Sequence, residues 1–134
     1  MSAIHDAVVA LTDQRSSRDA RTMIDELAAR GQLSLESVTF LRGRSLHRQI
    51  VVVDEAQNLE PTTLKTILTR IGEGTKVVFT GDTSQIDAPY LSSHNNALSV
   101  LIQAFGGQSC FGHVQMTSCE RGEVANLAAQ LRSL

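Results

Sequence analysis

The sequence predicts an α/β fold: a parallel sheet flanked by helices. Two observations carry that prediction. After Gln49, Ile50-Val51-Val52-Val53, and after Lys76, Val77-Val78-Phe79-Thr80, are continuous β-branched or aromatic runs, the pattern of strands buried on both faces. Each is followed by a loop and then by an apolar stripe at helical spacing, and strand–loop–helix units in series build parallel sheets. Both runs lead into acids, Asp54-Glu55 and Asp82, at the strand ends where open α/β sheets place ligands.

The elements follow in order. Ile4, Val8 and Leu11 predict a short helix over 3–12. Ser17 suits the cap of a second helix with Ala20, Met23, Ile24, Leu27 and Ala28 on its apolar face, and Gly31 suits its stop. Leu35 to Leu41 is a weaker strand, and Arg42-Gly43-Arg44 a turn after it. Pro61 fits the first turn of a helix whose stripe is Leu64, Ile67, Leu68 and Ile71, ended by Gly72 and Gly74. After the second strand, Pro89 and the polar run 92–96 form a loop. Then comes a helix with Ala97, Leu98, Leu101, Ile102 and Phe105 inward, stopped by Gly106-Gly107. A short strand is expected at 113–116. A last helix presents Val124, Leu127, Ala128 and Leu131 on one face. With no repeat, low-complexity tract or linker, residues 1–134 read as a single domain.

Bulk properties narrow the function. At 134 residues and a net charge of −2, the chain can hold a real core and is not built for tight non-specific nucleic-acid binding. Seven arginines nevertheless lie before residue 50, so a local basic face is possible. No apolar run approaches the ~20 residues needed to cross a bilayer, so no membrane role is expected. Met1-Ser2-Ala3-Ile4-His5-Asp6 lacks the charged and apolar segments of a signal peptide, and a cytoplasmic location is expected. Cys110 and Cys119, with His113 between them, read as thiols in a reducing compartment, since no fourth metal ligand follows at useful spacing.

The chemistry starts at Asp54 and Glu55. Adjacent carboxylates repel unless a proton or cation relieves them. Mg²⁺ beside a nucleotide phosphate suits the position, because it binds through one or two carboxylates plus phosphate oxygens. Asp54-Glu55-Ala56-Gln57 resembles the Walker B segment, motif II, of superfamily 1 helicases. Thr80-Gly81-Asp82-x-x-Gln85 resembles their motif III. There Gly81 permits close backbone approach, and Asp82 and Gln85 offer an acceptor and an amide.

Longer stretches narrow the resemblance. Phe40-Leu41-Arg42-Gly43-Arg44-Ser45-Leu46 is similar to the Arg-Gly-Arg segment of PhoH-like ATPases, and Arg70-Ile71-Gly72-Glu73-Gly74-Thr75-Lys76 to their helix-to-strand turn. The run Thr80 to Asp87, with Pro89-Tyr90-Leu91, resembles their motif III and its extension. Glu120-Arg121-Gly122-Glu123 stands where that family carries Glu-Arg-Ser-Glu. The resemblance covers nearly the whole chain and favours the longer type, in which a PIN nuclease domain precedes the ATPase. It implies a partial RecA-like P-loop NTPase fold, RNA-directed helicase activity coupled to ATP hydrolysis, ATP and Mg²⁺ as cofactors, RNA as partner and a homo-oligomeric ring.

One motif is missing. A P-loop needs Gly-x-x-x-x-Gly-Lys-Ser/Thr, and neither Lys65 nor Lys76 follows such a loop. The chain is therefore expected to be the C-terminal portion of a PhoH-like ATPase domain, with the P-loop lobe upstream, and to be inactive alone.

The resemblance assigns roles. Asp54 holds Mg²⁺ through water, and Glu55 orients or deprotonates the attacking water. Gln57, Asp82 and Gln85 face the nucleotide, with Gln57 and Gln85 sensing the γ-phosphate. Arg121 acts in trans on a neighbour's phosphates. Arg42 and Arg44 take that trans role or touch RNA.

Two alternatives are of other classes. The missing P-loop suits a non-catalytic oligomerisation or RNA-binding module that keeps the NTPase fold. The acids Asp54, Glu55, Asp82 and Asp87 suit, less well, a two-cation nuclease.

Overall fold

A computed structural model describes residues 6, 10, 17–118 and 122–131. The helix expected over 3–12 falls outside them, except for Asp6 and Ala10, which are helical. The chain forms two compact units. One holds the residues up to Gln49 together with Thr66–Thr75. The other holds Ile50–Lys65 and the residues from Lys76 on.

In the first unit, helix α1 spans Ser17–Ala29, with Ala20 fully buried and Met23, Ile24 and Leu27 half-buried. It ends as the sequence predicts. Gly31 takes a φ of +68°, the Gly31 N–H donates to the Ala28 carbonyl (3.0 Å) and the Gln32 N–H to the Leu27 carbonyl (2.9 Å). These two bonds satisfy carbonyls that the helix leaves open, and the left-handed residue they need is cheapest as glycine.

Residues 35–41 do not form the expected strand. Val38–Leu41 is a 3-10 turn instead. Val38 and Leu41 are three residues apart, so a turn of three residues aims both the same way, which a strand of period two does not. Leu41 is buried there. Leu41 to Arg44 then makes a type II turn, with Arg42 at φ −62° and ψ 125°, Gly43 at φ +79° and the Arg44 N–H on the Leu41 carbonyl. Leu46 pairs with Ile71 in a single parallel bridge.

In the second unit, β1 (Ile50–Val53) and β2 (Lys76–Phe79) form a two-stranded parallel sheet with Ile50 opposite Lys76 and Val53 opposite Phe79. The strands are not buried on both faces. Val51, Val53, Val77 and Phe79 are half-buried, while Ile50 and Val52 are 76% and 64% exposed and Val78 is exposed too. A parallel strand is covered twice only when layers lie on both faces, and among the described residues one face has no cover.

Helix α2 (Pro61–Leu68) begins at its proline and buries Leu64 and Ile67. It stops a turn earlier than the stripe suggests. The Arg70 and Ile71 N–H groups tighten onto the Ile67 and Leu68 carbonyls, and Ile71 pairs with Leu46 rather than extending the helix.

Helix α3 (Ala97–Phe105) buries Ala97 and Leu101, and its Asn96 cap accepts a hydrogen bond from the Ser99 N–H at 3.0 Å. The Ala97 N–H donates to the Leu59 carbonyl. Residues 113–116 are irregular, with Val114 and Met116 exposed; among the described residues they find no edge to pair with. Helix α4 (Glu123–Gln130) follows, with its stripe Val124 and Leu127 exposed. Among the described residues, no helix is long and apolar enough to cross a membrane.

Candidate functional site

The site is built where β1 and β2 end together. Their register puts residue 54 opposite residue 80, and the parallel ladder runs on past both strands. The Thr80 N–H donates to the Val53 carbonyl (3.0 Å) and the Ala56 N–H to the Thr80 carbonyl (2.9 Å). The Thr80 hydroxyl then reaches across to Asp54 Oδ1 at 2.6 Å. Oδ1 also accepts the Glu55 N–H at 2.9 Å. Two donors on one oxygen fix the carboxylate's plane, and Oδ2 has no hydrogen bond among the described residues.

Glu55 sits in the left-handed region, at φ +54° and ψ 37°. Such a conformation costs a non-glycine residue ~1–3 kcal/mol and concentrates at functional sites. Here it turns the chain sharply out of β1 into a 3-10 turn over Ala56–Asn58, closed by the Asn58 N–H on the Glu55 carbonyl (2.9 Å). The turn aims two side chains back at the strand ends. The Asn58 side-chain oxygen accepts the Asp87 N–H at 2.8 Å. Gln57 is wholly buried. Its Nε2 donates to Glu55 Oε2 (2.6 Å) and to the Gln85 carbonyl (3.2 Å), while its Oε1 accepts the Asp82 N–H (3.1 Å).

Asp82 organises the second strand end. Its Oδ1 accepts both the Ser84 N–H (2.9 Å) and the Ser84 hydroxyl (2.7 Å), and its Oδ2 accepts the Gln85 side-chain amide (2.8 Å). A short polar side chain bonding the backbone two residues on is a turn-forming device. It sets the 82–85 loop and holds Gln85 beside Asp82.

The model of the family "PhoH-like protein" matches residues 1–130. The chain belongs to the PhoH-like protein family. It is 48% identical over 105 residues to Protein PhoH2 of Bacillus subtilis, covering 78% of this chain and 24% of that protein. It is 36% identical over 129 residues to Protein PhoH2 of Thermobispora bispora, covering 96% of this chain and 28% of that one. It is 46% identical over 66 residues to a PhoH-like protein of Synechocystis, covering 49% of this chain and 20% of that protein. The chain thus spans about a quarter of the length of the PhoH2 proteins it matches. PhoH-like proteins have the P-loop NTPase fold, and the α/β architecture with a parallel sheet flanked by helices accords with it.

Of the residues that the PhoH resemblance singles out, the structure brings together Asp54, Glu55, Gln57, Asp82 and Gln85 in one unit. Arg42 and Arg44 belong to the other unit, on the type II turn, where Arg44 pairs with exposed Glu36 at 3.0 Å. Arg121 and Cys119 lie outside the described residues; Cys110 is exposed. Thr80 has a part of its own that the motif III resemblance does not assign: its hydroxyl holds Asp54. Its signal was available: two strands of equal length in parallel register place residue 80 against residue 54.

The donor set fits a hydrated cation. One open carboxylate oxygen at a strand end is what water-mediated Mg²⁺ requires, the rest of its shell coming from water and phosphate. For the β-phosphate there is no matching cradle, since the chain contains no Gly-x-x-x-x-Gly-Lys-Ser/Thr.

Proposed function

We propose that this chain carries the metal and water-activating half of an ATP-hydrolysing PhoH site, and that the longer protein uses the hydrolysis to move or unwind RNA. The observation that carries the reading is the joining of Asp54-Glu55 to Asp82–Gln85 across two adjacent parallel strand ends. Asp54 presents Oδ2 to a hydrated Mg²⁺. An ion held there would supply positive charge to offset that of the phosphates.

Glu55 orients a water and accepts its proton as the oxygen bonds to the γ-phosphorus; the bridging bond breaks and ADP leaves with its electron pair. Gln85 stands on the γ-phosphate side. Arg121 acts in trans within a homo-oligomeric ring, and Arg42 and Arg44 contact RNA or a neighbouring nucleotide. The P-loop lobe, and a PIN domain in the longer type, are supplied by other parts of the protein, which acts in the cytoplasm.

Positioning without a phosphate cradle gives little acceleration. Calorimetry of this chain with millimolar Mg-ATP is therefore expected to show no binding; clear one-to-one binding would mean that another segment cradles the phosphates. In a PhoH protein holding this segment and a P-loop, Glu55→Gln should abolish turnover and keep ATP binding. Retained turnover would sink the assignment of Glu55 as the base. The missing P-loop also suits a non-catalytic ring module. Turnover by the P-loop-containing protein would eliminate that reading.

A further inference from the structure

We infer that Gln57 is a positioning residue: a buried strut that fixes the Glu55 carboxylate and ties it to the 82–85 loop, so that the nucleotide is reached through Glu55 and Gln85 and not through Gln57 itself. The inference rests on reading Glu55 as the water-activating group. Three observations support it.

Gln57 is 0% exposed, so its amide meets protein groups only. The orientation of that amide is set by chemistry, because two acceptors, Glu55 Oε2 and the Gln85 carbonyl, face Nε2 and one donor, the Asp82 N–H, faces Oε1. Flipping it would oppose oxygen to oxygen twice and N–H to N–H once. Finally, space is kept for the amide: a Cβ on Gly81 would run into Gln57 Oε1, so the glycine of the second strand end is what lets the strut pass.

The consequence is a mechanical link. Glu55 stands in a left-handed conformation, and among the described residues its carboxylate accepts a hydrogen bond from Gln57 alone. The Gln85 carbonyl shares Nε2 with Glu55, and the Asp82 N–H holds Oε1 at the other end of the same amide. A shift of the 82–85 loop is therefore passed to the Glu55 carboxylate, and the reverse. Hydrogen bonds in one chain polarise each other, so the effect extends to the bonding groups as well as to their positions.

The test needs no nucleotide, so a chain that never hydrolyses ATP passes or fails it in the same way. Backbone and side-chain amide spectra are recorded by NMR for the chain and for Glu55→Gln, in an otherwise unchanged background and again with Gln57→Met. In the unchanged background, Glu55→Gln should move the Gln57 side-chain amide and the backbone amides of Asp82 and Gln85. With Gln57→Met the movement at Asp82 and Gln85 should be lost, while that at Ala56 stays. Unmoved Asp82 and Gln85 amides in the first comparison, or equal movement in the second, would overturn the inference.

Should Gln57→Met not fold, proton exchange of the Gln57 side-chain amide decides it. Exchange should quicken in Glu55→Ala, and an unchanged rate would refute the link.

Discussion

Gly81 offers a direct test of how closely the two strand ends are packed. A Cβ added there would lie 3.1 Å from Leu98 Cδ2 and 3.3 Å from the Ala56 nitrogen, and nearer still to Gln57 Oε1. The leucine methyl can move. The Ala56 nitrogen cannot, because its N–H is held on the Thr80 carbonyl at 2.9 Å. Overpacking of this kind costs ~1–3 kcal/mol. Displacing Oε1 from the Asp82 N–H removes a further ~0.5–1.5 kcal/mol. The narrower unfolded ensemble of alanine returns ~0.4–1 kcal/mol. Gly81→Ala is therefore expected to destabilise the chain by roughly 0.5–4 kcal/mol.

Gly112→Ala is the matched control. Nothing lies within 4 Å of its added Cβ and its φ is not positive, so only the entropic gain of ~0.4–1 kcal/mol applies. Urea unfolding followed by far-ultraviolet circular dichroism should lower the midpoint for Gly81→Ala and raise it for Gly112→Ala. Midpoints moving in the same direction, or Gly81→Ala the more stable of the two, would refute the packing argument.

Other perturbations follow from the same geometry. Asn96→Ala removes a cap that also donates to the Ser92 carbonyl and the Ser99 hydroxyl, and should cost ~0.5–2 kcal/mol, with Asn96→Asp between it and the unchanged chain in thermal unfolding. Ile67→Ala, at a wholly buried position, should cost ~2–5 kcal/mol. Leu127→Ala, on the exposed stripe of α4, should stay within ~0.5 kcal/mol in denaturant titrations; equal losses for the two would contradict the burial. Val52→Thr should be within ~0.5 kcal/mol of neutral in this chain, and cost ~1–3 kcal/mol in a full-length PhoH protein, where we propose that this sheet face is covered. Denaturation of both proteins checks it.

Local features were readable from residue order. The β-branched runs became β1 and β2, Gly31 ended α1, Pro61 opened α2, and the acids stood at the strand ends. Each of these depends on a few neighbouring residues. What depended on partners was not readable. Ile50 and Val52 have the composition of doubly covered strand residues, yet cover comes from other segments and cannot be read from the strand itself. Residues 35–41 and 113–116 have strand-like content, but a strand forms only against an edge, and neither has one among the described residues. The site divides in the same way. Asp54 and Glu55 are legible as adjacent carboxylates after a strand-like run, and Asp82 and Gln85 through the resemblance of their stretch to motif III. The Thr80 hydroxyl on Asp54 and the burial of Gln57 are products of register.

That division explains how a chain spanning about a quarter of its PhoH2 relatives can hold an ordered acidic site without a phosphate cradle. Every bond that shapes the site joins residues of a single unit, and the longest reach in sequence is from the end of β1 to the end of β2. The strands themselves supply the closure, because a parallel pair in register brings its two following loops side by side. The carboxylates are thereby set by bonds within the unit itself. Preorganised groups of this kind are worth most when water is excluded around them, since the low dielectric strengthens each interaction. Here Asp54 and Glu55 remain exposed. In the proposed reading, closing the site is the work of the P-loop lobe, and catalysis waits on that closure because water left around the carboxylates screens each interaction they make.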